Sequence, residues 1–188
     1  ATLFVGLVLF LTKKGSATEH LELRQAFLLT NSAWISIAIF GSLPFLLSDI
    51  DMSFVDAFFE STSGITTTGA TVIENLEAKS HGILIWRALL QWLGGVGIIV
   101  MALAVLPMLS IGGMQLFKTE SYETPDKVVP KAASFAAGIS IVYITLTIIW
   151  AFMLWGAGMS IFDSIAHSMT TLATGGYSTK SESLAAFN

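Results

Sequence analysis

The chain has 188 residues, 54% of them hydrophobic and only 12% charged, with a net charge of -4. Soluble domains carry about 25% charged residues, so a soluble enzyme is disfavoured, and 13 Phe with 5 Trp are too many apolar anchors for a disordered chain. Without Cys there is neither a disulfide framework nor a thiolate metal site, and the nine scattered Lys and Arg argue against a nucleic-acid partner. The class that remains is an integral membrane protein surrounded by lipid, expected to be all-α from the long uncharged runs that follow.

Residues 1–11 are apolar but too short for a bilayer that needs about 20 residues, and no basic stretch precedes them. They read as the tail of a preceding transmembrane helix, and the chain as a piece of a longer protein. Residues 12–24 form a connection with Lys13, Lys14 and Arg24. A charge-free run over 25–48 predicts the first full span, with Pro44 expected to kink or stop it. The segment 49–79 is acidic, with Asp49, Asp51, Asp56, Glu60, Glu74 and Glu77 against one Lys. A second charge-free run covers 88–117 and is expected to end at Gly112-Gly113. The connection 118–131 holds Lys118, Lys127 and Lys131, and a third run covers 132–162. By the positive-inside rule the two basic connections are cytoplasmic and the acidic one faces outward. Trp86 and Trp155 then fall near the outer interface.

One segment within the acidic region does not fit a simple span. Residues 54–65 are largely apolar yet too short to cross, so they read as a re-entrant helix between two spans, followed by hydroxyl-rich residues 66–71. The pattern returns 107 residues later. Ser53, Asp56, Ser61, Thr67 and Gly69 match Ser160, Asp163, Ser168, Thr174 and Gly176 without a gap. Thr71 and Ser178 are a conservative match as well. Ser53 with Asp56, and Ser160 with Asp163, have capping-box spacing, so each copy predicts a capped short helix and then a Thr-Gly turn. The second copy places its helix at 161–172 and its turn at 173–178. This internal repeat is the most informative feature of the chain.

A short helix entering from outside points its partly negative C-terminus into the membrane. Its last carbonyls and those of the next extended residues are expected to lack helical partners and to need a donor or a cation. Backbone carbonyls replace the hydration shell in potassium filters, and Gly69 and Gly176 would let the chain turn them toward one axis. Thr hydroxyls add hard oxygen ligands. A single Thr-x-Gly turn without an ion would be unremarkable in a membrane protein. Two copies, each behind a capped short helix, favour the ion site.

At this level of detail a family becomes recognisable. Residues 58–72 (FFESTSGITTTGATV) resemble the first pore loop of the Trk/Ktr/HKT potassium transporters, nearest to the bacterial TrkH branch, which includes TrkG. Residues 86–87 (WR), 91–100 (QWLGGVGIIV) and 106–116 (LPMLSIGGMQL) resemble that branch's next helix and its inner end, and residues 162–179 its second pore loop. The resemblance covers about residues 23–188. It implies M1-P-M2 potassium-channel-like repeats with re-entrant pore helices and extended filter loops, four to a chain around one pore. This chain would hold one whole repeat at 25–117 (pore helix 54–65, filter 66–71). A second, at 132–188 (pore helix 161–172, filter 173–178), would stop after its pore loop.

Carried onto these positions, the resemblance implies an ion-binding filter of Thr67, Thr68, Gly69 and Ala70 with Thr174, Gly175, Gly176 and Tyr177. It implies potassium uptake across the bacterial inner membrane, with potassium as the transported ion, no cofactor in this chain and no catalytic residues. In the plant relatives Ser at the first-filter Gly goes with sodium, and here that position is Gly69. The resemblance further implies a homodimer and a cytoplasmic nucleotide-binding regulatory subunit of the TrkA/KtrA type, for which the basic stretch 118–131 lies on the docking side. Alternatives are a sodium-permeable or sodium- or proton-coupled member of the superfamily, a broken-helix secondary transporter, and a structural membrane subunit.

Other residues have narrower readings. Arg87 is expected to pair with Asp56, Glu60, Glu74 or Glu77 behind the filter. Glu60 and His167 occupy equivalent repeat positions, each suited to a polar contact with a neighbouring filter loop, and His167 has no partner at metal-ligand spacing. Gly94-Gly95-Val96-Gly97 lies within an apolar span with no strand before it, so close helix packing explains it better than a dinucleotide.

Overall fold

A computed structural model of the chain describes residues 23–105 and 128–187. Among these residues the regular elements are helical: α1 Leu23–Leu46, α2 Phe54–Ile65, α3 His81–Val105, α4 Val128–Gly156 and α5 Ile161–Leu172, with 3-10 turns at Leu76–Ala78 and Ser183–Phe187. α1, α3 and α4 are long and apolar enough to cross a membrane, whereas α2 and α5, at 12 residues each, are not. The readings placed on residues 1–11, Lys13 and Lys14, Gly112-Gly113, and Lys118 and Lys127 lie outside the described residues.

The helices do not end where the charge-free runs end, and each difference has a cause. α1 continues through Pro44 and stops at Leu46. Trp86 donates its indole N–H to Gly41 O at 2.9 Å in the turn before that proline. α3 begins at His81, well ahead of the uncharged run, because Arg87 is an interior residue of the helix and only 1% exposed. α4 stops at Gly156, although the uncharged run continues to Phe162. Its end is a Schellman motif: Met159 N–H bonds Leu154 O, Gly158 N–H bonds Trp155 O, and Gly158 has φ +106. An uncharged turn of this kind is invisible to a rule that counts charges.

The short helices are packed between the long ones, α2 against α1 and α3, and α5 against α3 and α4. α3 is therefore the shared wall of the two units. Its double glycine makes the contact possible: a Cβ on Gly94 would collide with Ile65 O at the end of α2, and one on Gly95 would crowd the Tyr143 hydroxyl and Ala173 at the end of α5. This is the close packing expected of the glycine run. An apolar cluster of Phe45, Ala57, Ile83, Leu84 and Leu90 binds α1, α2 and α3 near the α2 entrance. On α4, Ile141, Val142 and Phe152 are each more than half exposed, which suits hydrocarbon surroundings rather than water.

Candidate pore-loop site

Both short helices start alike. Ser53 Oγ accepts from Asp56 N–H at 3.2 Å, and Ser160 Oγ from Asp163 N–H at 3.1 Å. In each, the hydroxyl then donates to the Asp carboxylate at 2.7 Å. The box is thus closed through the hydroxyl, without a bond from the carboxylate to the cap N–H. Asp is one methylene shorter than the Glu that usually reaches back.

They also end alike. Thr68 N–H bonds Ser63 O at 2.9 Å and Thr67 N–H bonds Gly64 O at 3.0 Å; in the second unit Gly175 N–H bonds Thr170 O and Thr174 N–H bonds Thr171 O, both at 2.9 Å. These are Schellman motifs with Thr67 (φ 57) and Thr174 (φ 56) at the left-handed position that glycine normally takes. A β-branched residue there is strained by about 1–3 kcal/mol. The expectation that the last helical carbonyls lack partners holds only in part: the loop turns back and its N–H groups satisfy Ser63 O and Gly64 O, and Thr170 O and Thr171 O, whereas among the described residues no hydrogen bond reaches Ile65 O or Leu172 O.

The run of open carbonyls continues into the loop. The backbone alternates in hand, with positive φ at Thr67 and Gly69 but not at Thr68, and at Thr174 and Gly176 but not at Gly175. Among the described residues no hydrogen bond reaches the carbonyl oxygens of Thr67, Thr68 and Gly69, or of Thr174, Gly175 and Gly176. Ala70 O, by contrast, is occupied by Ser63 Oγ at 2.6 Å and by the Tyr177 hydroxyl at 3.2 Å. Thr68 and Ala70 are exposed, as are Thr174 and Gly176, whereas Gly175 and Tyr177 are buried. The two loops meet at their glycines, where a Cβ on Gly69 would strike Gly175 O. Of the eight residues singled out from sequence, Tyr177 stands apart, because its ring is packed behind the loop.

Behind each loop stands the same brace built from different chemistry. Glu60 accepts from the Thr71 hydroxyl at 2.9 Å and from Val72 N–H at 3.0 Å, while Thr71 Oγ1 accepts from Ile73 N–H at 3.1 Å. At the equivalent positions His167 Nε2 and the Ser178 hydroxyl share a 3.0 Å hydrogen bond, and Ser178 Oγ accepts from Lys180 N–H at 3.0 Å. His167 Nδ1 lies 2.8 Å from Asp163 O, a carbonyl that can only accept, so Nδ1 donates. Each side chain holds its own loop, and not the neighbouring one as expected. The repeat explains why: the hydroxyl at 71 or 178 lies 11 positions beyond it on the same hairpin.

Cross-linking between the units comes from α3. Arg87 Nε pairs with Glu60 Oε1 at 2.7 Å, the two side chains 1% and 0% exposed, so the expected pair behind the loop is present and its partner is Glu60. Arg87 Nη1 also donates to Ser178 O at 3.0 Å, and its Cζ lies 4.0 Å above the Tyr177 ring. The Tyr177 hydroxyl donates to Glu60 O at 2.9 Å. One turn along α3, Gln91 Oε1 accepts from Tyr177 N–H at 3.1 Å. Gln91 was not anticipated as a site residue. The available signal was its i, i+4 spacing from Arg87 in an otherwise apolar helix, which puts both polar groups on one face.

A further latch joins the units just ahead of α3. Glu77 accepts from the Ser181 hydroxyl and amide, both at 2.7 Å, and these bonds hold its carboxyl below the usual value. For Asp163, burial works upward, but hydrogen bonds from Thr179 and Ser160 and the charge of Lys180 outweigh it, so its pKa is also lowered. Among the described residues no group of three His, Asp or Glu side chains could hold a metal ion.

Two crossing helices around a capped short helix and an open-carbonyl loop, present once in full and once more in part, define a pore-loop membrane protein with an all-α transporter fold. The chain belongs to the TrkH family of cation transport proteins, which it matches over residues 1–188. It is 44% identical over 163 residues to the Trk system potassium uptake protein TrkI of Halomonas elongata, covering 87% of this chain and 33% of that protein. With Trk system potassium uptake protein TrkH of Escherichia coli K12 it shares 44% identity over 172 residues, 90% of this chain and 36% of the relative. The crystal structure of the potassium transporter TrkH from Vibrio parahaemolyticus matches with a TM-score of 0.80 at 41% identity, covering 95% of this chain and 35% of that one. The chain thus spans about a third of the length of the curated relatives it matches. These relatives and the three crossing helices make it a multi-pass protein of the bacterial inner membrane.

Proposed function

We propose that this chain supplies two of the filter loops of a potassium uptake pore. The observation that carries the reading is the set of carbonyls at 67–69 and 174–176 that no donor satisfies, borne on two backbones of the same alternating hand and meeting at Gly69 and Gly175. Unsatisfied carbonyls at membrane depth are costly without water or a cation. A dehydrated potassium ion supplies the missing charge, and oxygen cages of this kind replace its hydration shell. Thr67, Thr68, Gly69 and Ala70 with Thr174, Gly175, Gly176 and Tyr177 form this chain's share of the filter. Tyr177 contributes through its backbone alone, since its ring is buried at 4% exposure. Gly69 favours potassium over sodium, and the potassium uptake named for the relatives supports the same ion.

Two short helices that each re-enter between spans suit parallel repeats around one pore better than the inverted repeats of many secondary transporters. The domain division carries over with this reading, one M1-P-M2 repeat at 25–117 and the front of a second at 132–188. A homodimer and a cytoplasmic nucleotide-binding regulatory subunit belong to the same proposal, the basic connection 118–131 being the docking side. The test is ion flux by the full-length protein carrying this chain, reconstituted in proteoliposomes. Potassium and rubidium flux well above sodium is expected. Equal sodium flux would replace the reading with a sodium-permeable transporter.

A further inference from the structure

Gln91 is fully buried on α3 at 0% exposure, where both loops are within reach. The direction of its amide is dictated by chemistry. Tyr177 N–H can only donate, so the group 3.1 Å from it is the carbonyl Oε1. The Nε2 end then lies toward the first loop, 3.7 Å from where a Gly69 Cβ would stand, and it finds no partner among the described residues. Gly175 has no room for a side chain because the Gln91 amide occupies that space. A second tie runs the other way, from the Tyr177 hydroxyl to Glu60 O at 2.9 Å and Ala70 O at 3.2 Å. Position 70, the counterpart of Tyr177 in the first unit, is Ala, so the first loop has no ring to return the contact.

We propose that Gln91, through its hydrogen bond to the Tyr177 amide and its packing against Gly175 beside Gly69, is a positioning residue for ion selection. It sets the spacing between the first and second filter loops. This rests on the filter reading above and deepens it. Selection by carbonyl oxygens depends on cavity size and on how many dipoles converge, and both change if neighbouring loops drift apart. Gln91 touches no ion itself. It holds the second loop in place at one backbone N–H, and that N–H would otherwise be buried without a partner.

The test uses the full-length protein in proteoliposomes, at equal amounts of folded protein, with potassium and sodium flux measured separately. Gln91→Leu removes the acceptor and roughly preserves bulk. Its potassium-to-sodium ratio is expected to fall roughly two- to tenfold, the range that one lost hydrogen bond represents. Gln91→Glu keeps an acceptor for Tyr177 N–H and is expected to keep most of the ratio. A merely structural role would lower both fluxes together and leave the ratio alone, and that result overturns the proposal. An equal loss of ratio in both variants overturns it too, because the acceptor would then be irrelevant. If Gln91→Leu does not accumulate, Gln91→Met decides: it also removes the acceptor for Tyr177 N–H and roughly preserves bulk, and an unchanged ratio refutes the spacing role. A wild-type protein that passes both ions equally would instead overturn the filter reading. A selective wild type with a selective Gln91→Leu variant overturns this inference alone.

Discussion

The two loop units superimpose in their logic but not in their chemistry. Both begin with a Ser cap, both end in a Schellman turn with Thr in the left-handed position, and both leave a run of loop carbonyls open. Behind the first stands a carboxylate paired with a guanidinium, and behind the second an imidazole. The backbone geometry is what the two units share, and the means of holding it is what differs. Ion chemistry through carbonyls needs only the backbone path, so any brace that reaches the hydroxyl at position 71 or 178 will serve.

Removing the braces should separate the units most sharply. Glu60→Leu strands Arg87 in a buried site and should destabilise the protein by about 3–5 kcal/mol. His167→Leu breaks hydrogen bonds without leaving a buried ion-pair partner behind and should cost about 1–3 kcal/mol. Folded protein remaining after heating in detergent measures both, and equal losses would break the contrast between a brace with an ion pair and one without. The strained threonines come next. Thr67→Gly and Thr174→Gly should each relieve about 1–2 kcal/mol of backbone strain, yet lower potassium-over-sodium flux by removing a hydroxyl oxygen. A more stable variant with unchanged selectivity would show that the hydroxyl has no part in ion binding. The caps should behave alike, Ser53→Ala and Ser160→Ala each costing about 1 kcal/mol by the same assay.

The smallest difference is one of pH. Asp163 receives a bond from Thr179 at 2.5 Å, whereas Val72, the counterpart of Thr179, offers Asp56 no hydroxyl. The Asp163 pKa is lowered in the folded state, so its stabilisation is fully present above the ordinary carboxylate value of about 3.9 and fades as pH falls through the lower folded value. Thr179→Val should move the onset of acid unfolding to slightly higher pH, and an unmoved onset would show that the bond adds nothing.

The sequence revealed much of this where it recorded a periodic or repeated signal. Long uncharged runs located three crossing helices, and the 107-residue repeat located both short helices with their glycine turns. Its rule failed where a charge was buried or a turn was uncharged, as at Arg87 and at the end of α4. Matching of Thr71 with Ser178 and of Glu60 with His167 was visible, but the bonds joining them were not. Thr67 and Thr174 were placed in the loops without any sign of their left-handed backbone, because Thr is not the residue that conformation favours. Gln91 and the reach of Tyr177 across 86 positions depend on how two units pack around α3, which no local pattern encodes.

That long reach bears on how the protein is made. The ribosome delivers Gln91 to the membrane 86 residues before Tyr177. At roughly 5–20 residues per second, several seconds pass between the two. Throughout that interval the first unit has Arg87 without its ring and its Ser178 carbonyl, and Gln91 without its amide. The first unit is therefore not a finished folding module when it is inserted. It waits as a template, and the second loop completes it on arrival.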